Sequence, residues 1–136
     1  MNRWSKASLE RLKSCHPDLQ LLFGKILHIR DCSILCGHRG EAEQNKAKAE
    51  GKSQLAWPNS KHNQKPSIAI DVSPWPLQWD KTNDFIYFGG LVMGVAEMLY
   101  ENGDMCYRLQ WGGDWSRDYT QSNNSFNDLV HFQLIV

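Results

Sequence analysis

Three side chains of types that bind catalytic metal ions lie at the edges of predicted strands. His62 lies in a polar loop before a strand, Asp71 follows the apolar residues 68–70, and His131 begins the last strand. Two imidazoles and one carboxylate are a frequent ligand set for a catalytic zinc ion, with the fourth position left for water. The metal lowers the pKa of that water and polarises a carbonyl group. The three residues therefore predict zinc-assisted hydrolysis.

A further carboxylate lies close in sequence to the last of these ligands. Asp128 precedes His131 by three residues, so a single backbone segment can deliver both a ligand and a general base. A carboxylate in this position can take the proton of the attacking water and pass it to the leaving amine. Asp128 is therefore a candidate for the catalytic base.

Residue types and spacing alone leave other interpretations open. A loop histidine is usually solvated, a histidine at the start of a strand often belongs partly to the core, and an aspartate after an apolar run is often a turn residue. His16, His28 and His38 are equally available as single ligands. Of these, His38 is the main competitor because it also follows a predicted strand.

Helices and strands are interspersed in the predicted secondary structure. The predicted helices cover residues 8–14, 17–29, 41–50 and 85–100, and the predicted strands cover residues 33–36, 67–72, 105–111 and 131–136. Pro17 suits a first helical turn, and Gly51 is a natural helix stop. Residues 51–67 and 112–127 are polar and predict long loops, which are often functional. This order predicts an α+β fold.

Size, charge and cysteine content limit the function classes. The 136 residues, 41% of them hydrophobic, predict one domain over residues 1–136. Lys and Arg total 15, as do Asp and Glu, so no strong field favours nucleic acid. No apolar run approaches the ~20 residues of a membrane span, and the polar N-terminus predicts no secretory signal. The four cysteines are therefore expected to be reduced and mostly buried.

Short motifs occur along the chain in a fixed order. They are Ser-x-His at residues 60–62, Ala-x-Asp at residues 69–71 and Asp-x-x-His at residues 128–131, accompanied by segments 15–19, 36–39, 43–44, 57–60 and 111–115. This ordered set resembles the zinc D-alanyl-D-alanine carboxypeptidase and L-alanyl-D-glutamate endopeptidase family, particularly its phage endolysin branch. One difference is the insert between His62 and Asp71, which has eight residues where the common family form has six.

The resemblance implies a fold and a set of roles. The fold would be similar to the Hedgehog/DD-peptidase fold, with a small antiparallel sheet and flanking helices. His62, Asp71 and His131 would bind Zn²⁺, with Asp128 as the base. Arg39 would stabilise charge that develops on the scissile carbonyl oxygen, because its guanidinium is permanently charged. The alternative for Arg39 is a surface ion pair.

The resemblance also implies roles in substrate binding. Gln44 would bind substrate or support the groove by hydrogen bonds, or it would be a polar residue on a solvated helix. Trp115 would wall the site or stack on substrate. Trp57, Trp75 and Trp79 would line a groove or pack in the core.

The expected function is hydrolysis of the L-alanyl-D-glutamate bond in the peptidoglycan peptide stem, as in a phage endolysin. Lys61 or Lys65 would meet the D-glutamate carboxylate. The alternatives are a D-alanyl-D-alanine carboxypeptidase or dipeptidase, a non-catalytic zinc-containing recognition module of the cell wall, and a zinc-stabilised structural domain. We expect a monomer that is made in the host cytoplasm, does not insert into the membrane, and reaches the wall with the help of a holin or similar partner.

Overall fold

Four helices and four strands make up the computed structural model, which describes residues 1–121 and 127–136. The helices are α1 (Lys6–Lys13), α2 (Pro17–Ile29), α3 (Glu41–Ala49) and α4 (Thr82–Glu101), with a short 3-10 helix at Lys61–Asn63. The strands are β1 (Cys32–Cys36), β2 (Ala69–Pro74), β3 (Arg108–Gly112) and β4 (Asp128–Ile135). The predicted α+β class is confirmed. Part of the predicted loop 112–127, residues 122–126, lies outside the described residues.

The strands form one antiparallel sheet in the order β1-β2-β4-β3. Side chains alternate between the two faces of a strand. Ile70 and Val72 of β2, and Phe132 and Leu134 of β4, are fully buried in the hydrophobic core. The residues between them, including Asp71, therefore lie on the opposite face of the sheet.

Aromatic rings fix the helices to the buried face of the sheet. Phe23 of α2 and Phe88 of α4 contact Phe132 edge-on, with ring centroids 5.5 and 6.4 Å apart. Trp111 of β3 stacks on Phe132 at 6.4 Å. Full burial of such a side chain stabilises the fold by about 1.5–3 kcal/mol. The helical layer thus holds β3 and β4 in place beneath the opposite, polar face.

The start of α2 is joined to the segment that leads into β3. The His16 side chain caps the helix by accepting a hydrogen bond from the Asp18 amide, and Pro17 occupies the first helical turn as predicted. The buried Asp18 carboxylate accepts hydrogen bonds from the amides of Cys106 (2.9 Å) and Tyr107 (3.0 Å). Asp18 therefore accepts hydrogen bonds from backbone amides that are 88 and 89 residues away in sequence. Its negative charge is also favourable at the N-terminus of α2.

The last strand begins earlier than the sequence indicates. We predicted that His131 would open it, but β4 begins at Asp128, which pairs with Gly112 of β3. The apolar pattern underestimates the length of the strand at its start, because residues 128–131 are only partly buried. Both Asp128 and His131 therefore belong to β4, and His131 lies inside the strand.

The cysteines and the helices of the described residues bear on the expected redox state and on membrane insertion. All four cysteines lie within it as free thiols; Cys15 and Cys32 are buried, whereas Cys106 is exposed. Burial raises the pKa of both buried thiols to about 12. Among the described helices, none combines the length and apolar character needed to cross a membrane.

Gly89 permits the close approach of α4 to β3. A β-carbon at Gly89 would overlap the indole ring of Trp111, whereas one at the neighbouring Gly90 would meet no atom within 4 Å. We expect Gly89→Ala to lower the free energy of unfolding by about 1–3 kcal/mol through overpacking. Gly90→Ala is the matched control and should raise it by roughly 0.5–1 kcal/mol. Equal denaturant midpoints for the two variants would contradict this account of the contact.

Candidate metal centre

Pairing of β2 with β4 brings the first two candidate ligands together. Asp71 and His131 are directly opposite each other in the antiparallel register. Opposite residues in such a pair project from the same face with their β-carbons about 4.5–5.5 Å apart. His131 Nδ1 lies 3.2 Å from Asp71 Oδ1. Two residues that are 60 positions apart in sequence thus meet through strand register.

A single capped turn delivers the third candidate ligand. The Ser60 hydroxyl accepts a hydrogen bond from the His62 amide at 3.2 Å, and the Ser60 amide donates to the Asn63 side chain at 3.0 Å. His62 is 2% exposed, and its Nε2 atom lies 3.3 Å from Asp71 Oδ1. The longer insert between His62 and Asp71 therefore still returns the histidine to the aspartate.

The partner of His62 Nδ1 fixes the tautomer of this ring. Nδ1 lies 2.8 Å from the backbone oxygen of Gly37. Because a carbonyl oxygen only accepts hydrogen bonds, Nδ1 must carry the proton. In the neutral imidazole, Nε2 then presents its lone pair toward Asp71, and a distal hydrogen bond of this kind orients a histidine that binds a metal.

A chain of hydrogen bonds fixes His131 in the same way. The Trp115 carbonyl accepts from Gln110 Nε2 at 2.6 Å, and Gln110 Oε1 accepts from Gln133 Nε2 at 2.8 Å. The orientation of both amides follows from that first carbonyl, which can only accept. Gln133 Oε1 therefore accepts from His131 Nε2 at 2.8 Å. The neutral His131 ring presents its Nδ1 lone pair toward Asp71.

Two nitrogen lone pairs thus point to one carboxylate oxygen, and both nitrogen–oxygen separations fit a zinc ion. Asp71 Oδ1 is 3.3 Å from His62 Nε2 and 3.2 Å from His131 Nδ1. Acceptors that face one another so closely need a positive charge between them. A tetrahedral zinc ion with bonds of about 2.0–2.1 Å separates its ligand atoms by about 3.3–3.4 Å. The donor types and these two separations suit that metal, whereas among the described residues the ligand atoms that all lie within 4.8 Å of one another are those of Cys36, His62 and Asp71, without His131.

The pKa values of two of these residues show that the centre favours positive charge. Burial lowers the pKa of His62, but the hydrogen bond and the negative charge of Asp71 outweigh it and raise the pKa to about 10. Burial favours the neutral form of Asp71, yet the interactions of its carboxylate with His131 and His62 hold the pKa of this carboxyl well below its usual range. In the absence of a metal ion, a proton on His62 supplies the charge.

Cys36 is a candidate ligand that the motif analysis missed. Its sulfur, a His62 nitrogen and an Asp71 oxygen all lie within 4.8 Å of one another. The thiol contacts the Gly37 carbonyl at 3.6 Å and accepts from Arg39 Nη2 at 3.6 Å. Its position at the end of β1, just before Gly37, is the sequence signal that could have indicated it. A thiolate is a good zinc ligand, so the centre holds a fourth potential donor.

An irregularity in β4 places Asp128 on the same cleft as His131. In a regular strand, residues three apart project from opposite faces. Here the register with β3 jumps from Trp111 opposite Phe132 to Gly112 opposite Asp128, so residues 129–131 are extra. Gly112 is required at the jump because a β-carbon there would overlap the Asp128 backbone. Both Asp128 and His131 line the cleft as a result.

The surroundings of Asp128 make it a stronger base than an exposed aspartate. Burial raises the pKa of its carboxyl, and the negative charge of Asp71 raises it further. His131, His62 and Arg39 act in the opposite direction but are smaller causes. A raised pKa brings a carboxylate closer to the range that suits proton transfer near neutral pH.

Gln44 positions Arg39 and does not itself face the cleft. Its side chain is fully buried, and its oxygen accepts from Arg39 Nη1 (2.9 Å) and Asn63 Nδ2 (3.1 Å). Its nitrogen donates to Ser53 Oγ (3.0 Å) and the Leu55 carbonyl (2.6 Å). The amide has no capacity left for a ligand, so of the roles predicted for Gln44 the structure favours support of the groove over substrate binding.

The cleft around the centre has a volume of about 420 Å³ and two unlike walls. Arg39, Lys52 and Lys61 line it from segments that follow β1, and Arg39 Nη2 is 3.7 Å from Asp71 Oδ2. Trp115, which follows β3 at the other edge of the sheet, lies with its ring centroid 5.8 Å from that of His131. Neither His38 nor Lys65 is among the described residues that line this cleft.

Gln133 should control metal affinity through His131. Gln133→Leu removes the acceptor that holds the His131 Nε2 proton, so the ring loses its fixed tautomer. We expect zinc affinity to fall about 10–100-fold, as is typical when the hydrogen-bond partner of a ligand is removed. Competition with a chromophoric chelator measures it. Gln64→Leu, an exposed glutamine outside the cleft, is the matched control. Equal zinc affinities in the two variants would show that Gln133 does not control metal binding.

Comparisons with known proteins agree with this geometry. Residues 1–135 match the family described as phage L-alanyl-D-glutamate peptidase. The crystal structure of Serratia marcescens L-Ala D-Glu endopeptidase ChiX is similar, with a TM-score of 0.71 and 27% sequence identity. That similarity covers 98% of this chain and 90% of the other. No protein with a curated description matches the chain.

Proposed function

The chain belongs to the phage L-alanyl-D-glutamate peptidase family, and from that premise we propose that it cuts this bond in peptidoglycan with a zinc ion held by His62, Asp71 and His131. The family and the similar endopeptidase structure both indicate the L-alanyl-D-glutamate bond. The observation that carries the zinc proposal is that a nitrogen of each histidine lies close to the same Asp71 oxygen, at 3.2 and 3.3 Å. Two independently fixed tautomers aim the histidines at the same carboxylate oxygen.

The residues of the cleft divide the work of hydrolysis. A zinc ion at the centre supplies Lewis-acid polarisation of the scissile carbonyl and lowers the pKa of the attacking water. Asp128 takes the proton from that water and returns it to the leaving amine nitrogen of D-glutamate. Arg39, held by Gln44, places a permanent positive charge beside the reacting carbonyl oxygen. Trp115 walls the cleft next to His131.

The charges of the cleft suit a substrate with a carboxylate on one side of the cut. D-Glutamate keeps a carboxylate beyond the amide that is broken, and one wall of the cleft carries Arg39, Lys52 and Lys61. Arg39 faces Asp71 at 3.7 Å and Lys52 faces Glu50 at 3.3 Å. We place the D-glutamate side of the stem along that wall, with Lys61 as the partner of its carboxylate. Charge-assisted hydrogen bonds are about twice as strong as neutral ones, so this wall orients the substrate.

The enzyme must also cross the host membrane before it can reach the bacterial cell wall. The described helices include none that could cross a membrane. We propose that a holin or similar partner opens the host membrane and lets the enzyme reach the wall as a monomer. Expression with and without a holin, followed by turbidity measurements on the culture, tests the requirement; equally rapid lysis without the holin would contradict it.

Replacement of Asp128 should separate metal binding from catalysis. Asp128→Asn keeps the size of the side chain but removes the proton acceptor. We expect one zinc per chain to be retained and turnover to fall about 10²–10⁴-fold, the usual contribution of a general base. Asp118→Asn, outside the residues that line the cleft, is the matched control. Near-normal turnover in Asp128→Asn would assign the base to another group.

The bond itself is tested with two substrates. The first is a stem peptide linked to muramic acid, and the second is free D-alanyl-D-alanine. We expect mass spectrometry to detect a new amino-terminal D-glutamate from the first substrate and no cleavage of the second. A chelator should abolish the reaction, and zinc should restore it. Release of D-alanine instead would favour a carboxypeptidase or dipeptidase, and full activity after chelation would reject the zinc proposal.

A further inference from the structure

Trp79 is an exposed aromatic residue beside the catalytic cleft that has no role in the mechanism above. It lies in the segment between β2 and α4, and its side chain is 64% exposed. Its ring stacks on Phe85, with centroids 5.7 Å apart and an interplanar angle of 14°. Phe85 is 3% exposed and belongs to α4, so one face of the indole rests on a fixed ring. The indole is therefore held in position while most of its surface stays accessible.

A second cleft, with a volume of about 240 Å³, connects Trp79 to the base. Trp79 and Phe85 line it together with Asp128 and Leu129. Asp128 also lines the catalytic cleft, so the two clefts adjoin at this residue. A substrate that extends past Asp128, away from the metal ligands, enters the cleft with Trp79.

Polar groups continue the surface beyond Trp79. A third cleft, of about 360 Å³, is lined by Gln78, Asp80, Lys81, Asn83 and neighbouring side chains of the same segment. It shares Thr82 with the cleft of Trp79. An aromatic platform with hydrogen-bonding groups at its edge suits a sugar ring, which has an apolar C–H face and polar substituents around its rim.

The polarity of the substrate determines which part reaches Trp79. The wall with Arg39, Lys52 and Lys61 suits D-glutamate, so L-alanine extends to the side of Asp128. In peptidoglycan, L-alanine is joined directly to N-acetylmuramic acid. At about 3.3–3.6 Å per residue, the sugar lies within roughly 10 Å of the scissile amide. The cleft with Trp79 begins at Asp128, the proposed base.

We propose that Trp79 and the adjoining polar cleft bind the N-acetylmuramic acid ring on the amino side of the cut. This inference rests on the proposed function, because it assumes that the bond cut is the one beside L-alanine. It makes Trp79 a specificity determinant for stems that are still attached to glycan. The sugar packs on the open face of the indole, and Phe85 supports the other face.

The test compares two substrates that differ only at the sugar. One is a muramyl-linked stem peptide, and the other is the same peptide with an N-acetyl group in place of the muramyl group. Trp79→Ala should raise KM for the muramyl substrate by about 3–10-fold, the range expected for loss of one aromatic contact. Its kcat, and both constants for the acetylated peptide, should stay unchanged. Trp79→Phe should restore most of the loss.

Trp75→Ala is the matched control, since Trp75 is 55% exposed on the same segment but is not among the residues that line either cleft. It should leave KM unchanged for both substrates. Titration with the disaccharide of N-acetylglucosamine and N-acetylmuramic acid gives a readout independent of turnover. The Trp79 indole N–H resonance, assigned by its loss in Trp79→Ala, should shift.

Several outcomes would overturn the inference. An equal change of KM for both substrates would make Trp79 a peptide subsite or a structural residue, and no change for either would remove it from binding. An unshifted indole resonance would also reject sugar binding. If wild-type protein cuts neither substrate, the proposed function fails first. If it cuts both and Trp79→Ala does not discriminate between them, only the sugar subsite fails.

Discussion

The carboxylate of Asp71 is the interaction on which the rest of the site depends. Its Oδ1 atom lies 3.2 Å from His131 Nδ1 and 3.3 Å from His62 Nε2. Its Oδ2 atom lies 3.7 Å from Arg39 Nη2. A largely buried negative charge is stable only with cationic or hydrogen-bonding partners. The centre therefore needs positive charge between Asp71 and the two imidazoles. A proton on His62 meets that need in part, and the proposed zinc ion would meet it for all three donors.

The two faces of one sheet explain how such a centre is held rigidly. On one face, Phe132 is packed among the aromatic rings of α2, α4 and β3. On the other face, His131, its neighbour in the chain, meets Asp71 across the strand pair. The hydrophobic packing that fixes Phe132 thus also fixes the backbone of His131. The same strands therefore carry core residues on one face and candidate site residues on the other, because side chains alternate along a strand.

Around the centre, the side-chain amides of two glutamines carry out the positioning. Gln133 orients His131 through a chain that ends at a backbone carbonyl, and Gln44 joins Arg39 to the turn with His62 and to the loop at Leu55. A glutamine suits both tasks because one side chain both donates and accepts. These networks are complete within the protein, which preorganises the cleft before substrate enters.

Sequence by itself determined the local features of this protein. Apolar periodicity gave the helices, the strands and the α+β class, because periods of 3.6 and 2 residues are local properties. The ordered motifs predicted roles for His62, Asp71, His131, Asp128 and Arg39, because each motif spans only a few residues. Tertiary structure alone decided the roles that depend on contacts between distant segments. The jump in β4 register put Asp128 and His131 on one cleft, Gln44 became a buried support, and Cys36 came close to His62 and Asp71. No spacing in the chain encodes these contacts directly, since each depends on how separate elements pack and on which face of a strand a residue occupies.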